Sequence, residues 1–212
     1  MKQSDTAQVF NLQHPGNQRM LDYWSQLRGD RLAPFKAEVT ARGIGRVLAS
    51  NTFILENLGD GNLRFRLAGS KLFDIFGLEV RGMSALAIMN EEHRSRFRSL
   101  IEESLTNPST VMCRCEATTP NHESTFIEFV LAPLRSDFDE MDRMIGAVHV
   151  LDKDEEELVR APRRCSIYKA ATIAITPAIQ PIAGLAEGAT PFTRETTPLK
   201  PISGGGASSE RR

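Results

Sequence analysis

What this sequence lacks narrows its class before any motif is weighed. No apolar run approaches the ~18 residues that a membrane-spanning helix needs. The opening stretch MKQSDTAQVFNLQHPG has no apolar central block, so no secretory signal is expected there. Cysteine is scarce. Cys113, Cys115 and Cys165 cannot make an even disulfide framework, and two at alternate positions of one strand are poor partners for each other. A reduced, cytoplasmic setting is the expectation. Surplus charge is missing too: 26 Lys+Arg against 27 Asp+Glu give a formal net charge of -1, which argues against a dedicated nucleic-acid binder.

Signs of catalysis are equally sparse. There is no phosphate-cradling glycine loop, and the histidines at 14, 93, 122 and 149 are scattered. No nucleophile–base pair is visible, so no enzymatic activity is expected. Cys113-x-Cys115 with His122 supplies three ligands at most, short of the four of a structural zinc site, and no metal is expected. The cysteines read as small buried side chains. His93, on the apolar side of a helix, is the better placed of two haem-ligand candidates, the other being His149. A histidine at a helix start is more often a surface or capping group, so haem through His93 stays a minor alternative and no cofactor is expected.

What is present is a packed globular chain, 41% apolar and 25% charged. Its most informative stretch is NLRFRLAGSKLFDIFGLEVRG, residues 62–82. Leu63, Phe65 and Leu67 alternate with Arg64 and Arg66, as in a strand with one wet face. At Gly69-Ser70 the period changes to a short helix through Phe76, with Ser70 as N-cap and Gly77 as stop. Before it, residues 52–58 form the other strand of a hairpin closed by Gly59-Asp-Gly-Asn62. A first helix from Asn17, capped by Asn17 and stopped by Gly29, puts Met20, Tyr23, Trp24 and Leu27 on one stripe, to be buried on the domain or on a second copy.

The best-defined helix runs from Glu91 to about Thr106, with Asn90 as N-cap and Phe97, Leu100, Ile101 and Leu105 inward. Three strand-like runs follow, around 111–117, 125–131 and 144–151. In the second only Glu128 is charged; the third is continuously apolar, as in a strand covered on both faces. From 153 the chain turns charged. Residues 161–212 then hold six of the eleven prolines with much Ala, Thr and Ser, and no sustained period. That tail is expected to be largely disordered, with 166–175 the one part suited to folding against something.

Helix, hairpin, short helices, longer helix and three antiparallel strands is the order of a PAS domain. Tyr23-Trp24, Leu27-Arg-Gly-Asp-Arg-Leu-Ala-Pro34, Phe65-Arg-Leu-Ala-Gly-Ser70, Phe76-Gly77 and Arg81-Gly82 resemble small single-PAS regulatory proteins common in alphaproteobacteria. The resemblance implies an α+β PAS fold, a five-stranded antiparallel sheet with helices on one face, preceded by an N-terminal helix. The domains would be a flexible arm (1–16), the PAS domain with its flanking helix (17–152), and a charged linker with disordered tail (153–212).

It also implies a non-enzymatic sensor or regulator in bacterial signal transduction, working through dimerisation and contact with a signalling protein. The alternative is a small molecule or cofactor held in an apolar compartment bounded by Ile54, Phe65, Leu67, Leu72, Phe76, Phe97, Ile101, Ile127 and Phe129. Sequence cannot tell such a pocket from a filled core, because the same residue types line both. Dimer or partner contact is placed on Met20, Tyr23, Trp24 and Leu27.

Overall fold

The computed structural model describes residues 11–177. Helix α1 (Pro15–Arg28) leads through short helices α2 (Ala41–Ile44) and α3 (Arg46–Ala49) into the hairpin β1 (Thr52–Asn57) and β2 (Leu63–Ala68). Then come α4 (Lys71–Phe76), α5 (Glu91–Thr106), and strands β3 (Ser109–Thr118), β4 (Ser124–Leu134), β5 (Arg143–Val150) and β6 (Arg164–Ala174). All the strands are antiparallel to their neighbours in one sheet of order β2-β1-β5-β4-β3-β6.

The sheet has six strands where five were expected. β6 lies inside the stretch read as linker and tail, and pairs with β3 from Ser109↔Ala174 to Thr118↔Arg164. The segment leading to it is tied down as well. Gly77 ends α4 with φ 65°, and a Cβ there would meet the Ala161 carbonyl oxygen at 2.0 Å. Arg163, buried, donates to Ile75 O at 3.0 Å and Val159 O at 2.7 Å, and its amide donates to Phe76 O. It satisfies carbonyls that the end of α4 leaves without intrahelical partners.

Each face of the sheet carries its own core. On the inner face α4 and α5 cover Phe53, Leu55, Phe65, Val111, Phe129 and Val148. On the outer face α1 lies across β4 and β5, burying Met20 and Trp24 against Ile54, Met112, Val130 and Ile145. β4 and β5 are thus covered on both sides, which is why they read as nearly unbroken apolar runs.

Two helix starts differ from expectation. α1 begins earlier, with His14 as N-cap accepting from the Gly16 amide and Pro15 at the first helical position, so Asn17 sits within the first turn. Asn90 precedes α5 but donates its side chain to Ser166 Oγ at 2.7 Å, tying α5 to β6 instead of capping.

Candidate functional site

The compartment between sheet and helices is built from seven of the nine side chains named for it. Phe65, Leu72, Phe76, Phe97, Ile101, Ile127 and Phe129 are all buried in one cluster. Phe129 is its hub: the rings of Phe53, Phe76 and Phe97 have centroids 6.2–6.3 Å from it. Phe53 in turn meets Phe65 edge-on at 5.5 Å, within the range of favourable aromatic pairing. Phe53 lies over Gly146, where a Cβ would come within 2.4 Å of its ring. The glycine in the middle of β5 is what lets that ring fill the space. These rings occupy the compartment themselves.

Ile54 and Leu67 are the two exceptions. A register shift pairs Ile54 with Leu67 but Leu55 with Phe65, so Arg66 is an extra residue, a β-bulge. The strict alternation read from sequence breaks at that point. Leu67 turns to the outer face, 48% exposed, and borders a groove there together with Ile54. Of the side chains assigned to a dimer contact, Met20 and Trp24 are consumed within the fold. Trp24 is 4% exposed and its indole N–H donates to Pro133 O at 2.8 Å. Tyr23 and Leu27 are half-buried on the same helix.

The least apolar part of the interior lies under the foot of α1. Glu128, 0% exposed, accepts hydrogen bonds from the amides of Gln13 and His14, from Asn17 Nδ2 at 3.1 Å and from Arg114 Nε at 3.0 Å. Arg114 also donates to Asn11 O. A buried carboxylate is tolerable only with such a full set of donors.

Asn17 turns its amide nitrogen to Glu128, so its oxygen accepts from His149 Nδ1 at 2.9 Å. His149 therefore carries its proton on Nδ1 and keeps the Nε2 lone pair. His14 stacks on it, centroids 3.9 Å apart and planes 17° apart. A Cβ on Gly16 would meet His149 Nε2 at 2.3 Å. Burial, with a smaller push from the neighbouring His14 and Arg19, drives the His149 pKa down to about 3; burial lowers that of His14 as well. The His149 ring is therefore neutral at pH 7.

His14-Pro15-Gly16 lies at the end of the expected flexible arm, 1–16. Each of those residues, with Asn17, has a separate task here. The signals that mark this corner in the sequence are proline at a first helical position and the isolated charge of Glu128 in an apolar strand.

Beside the two histidines opens a cleft of about 440 Å³, walled by Arg19 of α1, Ser50 and Asn51, Lys71 of α4, and Lys153 to Glu155 after β5. Asn51 donates to Glu155 at 2.6 Å and to Val148 O at 3.0 Å. Burial raises the Glu155 pKa from its ordinary value.

The other sequence candidates lie elsewhere. Cys113, Cys115 and Cys165 are free and buried, and burial pushes Cys113 and Cys165 up to about 12 and Cys115 well above its ordinary value, so the thiolate needed for reactivity is suppressed. Among the described residues no group of three or more His, Cys, Asp or Glu side chains is placed to hold a metal ion. His93 sits at the start of α5, 3.4 Å from the exposed Glu92, and not among the rings of the compartment. No helix among the described residues is long and apolar enough to cross a membrane.

An antiparallel sheet with short helices over one face, an aromatic compartment between them and a flanking helix behind defines a PAS-type fold. A family model described as PAS domain matches residues 12–149, and the chain belongs to that family. No curated protein matches the chain.

Among solved structures it is similar to a light-oxygen-voltage domain studied with a flavin analogue, at 12% identity and TM-score 0.42, covering 51% of this chain and 82% of that one. It is also similar to a PAS domain from Colwellia psychrerythraea, at 13% identity and TM-score 0.40, covering 51% and 96%. A light-oxygen-voltage protein of Rhodobacter sphaeroides matches at 14% identity and TM-score 0.40, covering 50% and 62%.

Proposed function

We propose that this chain is a non-enzymatic regulator that dimerises and acts by contact with a signalling protein, with no cofactor in its inner compartment. The observation that carries the reading is the packing of Phe53, Phe65, Phe76 and Phe97 around Phe129, which fills the space a bound molecule would need. Input then has to arrive at the surface.

With Met20 and Trp24 buried on the sheet, the contact falls to apolar side chains that remain exposed. Phe126 and Tyr168 meet edge-to-face at 5.8 Å with 42% and 53% of each exposed, and Ile173, also 53% exposed, lies further along β6. Exposed aromatic and aliphatic groups of this kind are the usual anchors of protein contacts. A second copy of this chain is the occupant proposed for them.

Light scattering tests this. The expected mass of the wild type is twice that of the chain, and the Phe126→Ser/Tyr168→Ser variant is expected at the mass of one chain. A monomeric wild type, or a double variant that stays dimeric, would overturn the reading. The absorption spectrum and the mass spectrum of material released on denaturation address the compartment. A stoichiometric small molecule there would favour a ligand-binding sensor instead.

A further inference from the structure

We propose that the first turn of α1 is a proton-operated latch: protonation of the stacked pair His14 and His149 releases the helix from the outer face of the sheet. The pair joins elements far apart in the chain, His14 being the N-cap of α1 and His149 a residue of β5. Their ring centroids lie 3.9 Å apart and their planes 17° apart. Uncharged imidazoles stack well at that spacing. Two imidazoliums repel each other there, and a single one meets the cation of Arg19 nearby.

The hydrogen bonds of both rings depend on the uncharged form. His14 Nδ1 accepts from the Gly16 amide at 3.1 Å, so a proton arriving on that nitrogen breaks the cap of α1. His149 donates its Nδ1 proton to Asn17 Oδ1 at 2.9 Å, which leaves Nε2 as the place for a second proton. That nitrogen packs against Gly16, where an added Cβ would come within 2.3 Å of it. A proton there meets no hydrogen-bond acceptor among the described residues. Charging either ring thus undoes a contact that holds the first turn of α1 to β5.

The charged groups facing the pair give a new cation little help. On α1, Arg19 disfavours charge on either ring. On β4, Glu128 favours a charged His14, but its oxygens already accept from Gln13, His14 and Asn17 and from Arg114 of β3. In the cleft alongside, Lys71 and Lys153 stand with Asp154 and Glu155, two charges of each sign. Burial is the largest influence on both rings: it lowers the pKa of each, that of His149 to about 3. A released ring returns to an ordinary value near 6.5, so the latch is closed above about pH 6.5 and loosens as pH falls below it. From pH 7 to pH 5, His149 alone raises the ratio of released to docked helix roughly 25-fold.

Release uncovers an apolar surface. Met20 and Trp24 of α1 lie on Ile54, Met112, Val130 and Ile145 of the outer face, and those side chains become accessible when the helix leaves. The inner core is carried by α4 and α5 and shares none of the latch residues, so it stays packed. Protonation of a histidine pair is thereby converted into the exposure of a contact surface.

Amide hydrogen exchange of the full-length protein at pH 7 and pH 5 tests this, expressed as protection factors so that the intrinsic pH dependence of exchange cancels. Protection in α1 is expected to fall roughly 25-fold or more while α5 and β4 keep theirs. His14→Asn retains a capping side chain, and combined with His149→Gln it is expected to abolish that fall. The inference is overturned if α1 is equally protected at both pH values, or if α5 and β4 lose protection to the same extent. It is overturned too if the double variant, with α1 protected at pH 7, shows the wild-type fall. Should the variant leave α1 unprotected at pH 7, the ring shifts of His149 in the wild type decide. A midpoint near pH 6.5 with α1 docked overturns the inference, and one well below it supports the latch. Exchange is read within each chain, so the latch can fail or succeed independently of dimerisation.

Discussion

Glu128 shows what a single buried charge demands of the residues around it. Its strand is apolar on both faces, and this isolation was visible in the sequence as a request for partners. Which partners answer could not be read. They come from β3 through Arg114 and from the chain entering α1 through Gln13, His14 and Asn17, brought together only by the tertiary fold.

The adjoining histidine pair gives this corner a pH dependence. His149 has a folded pKa of about 3 against an ordinary 6.5, because burial disfavours its charged form, with a smaller push from His14 and Arg19. Between those pH values the unfolded chain binds the proton and the folded chain does not, so His149 contributes stability above pH 6.5 that is lost as pH falls toward 3. The slope it adds is at most about 1.4 kcal/mol per pH unit. Urea unfolding from pH 7 to 4 should therefore show a shallower decline for His149→Gln than for the wild type, whatever the variant's stability at pH 7. Parallel curves would mean that the ring is solvated and titrates normally.

At the scale of elements, the hairpin, α4, α5 and the strands β3 to β5 were legible because each has a clean period or clear stop signals. Two features were not. The β-bulge at Arg66 leaves an ordinary alternating pattern in sequence and shows only in the pairing, and it moved Leu67 to the other face. β6 was legible only as a stretch, 166–175, suited to folding against something; that it pairs with β3 was obscured by surroundings rich in proline, alanine and threonine. An edge strand forms where a neighbour offers unpaired backbone groups, and here β3 offers them along its length.

Removing the chain after Asp152 therefore does more than trim a tail. It bares the β3 edge, uncovers Cys113 and Cys115, and withdraws Arg163 from the end of α4. The loss of buried hydrogen bonds around Arg163 alone is expected to cost about 1–3 kcal/mol. The shortened protein should unfold at lower urea than the full chain and aggregate in proportion to its concentration. Equal midpoints and a single species would show that β6 is dispensable to the domain.

The described residues form a sheet with a core on each face, and the two cores play different parts. The outer one anchors α1 through Trp24 and closes over the Glu128 network; the inner one is where a PAS domain would hold a ligand. Sequence supplied seven of the inner residues but not their state, since a phenylalanine lining a cavity and one filling it read alike. What separates the two cases is ring placement, above all Phe53 resting on Gly146 and reaching toward Phe129.

A filled compartment makes a quantitative demand. Phe129→Ala removes the ring that three others touch, and such a substitution in a close-packed core costs about 3–5 kcal/mol. The space left would be apolar and dry, able to take a small aromatic such as benzene. The variant is expected to gain saturable benzene binding, read by methyl shifts of Leu72 and Ile101, while the wild type shows none. Benzene binding by the wild type with the same shifts would mean that the rings yield readily, and the inner face would then be the input site.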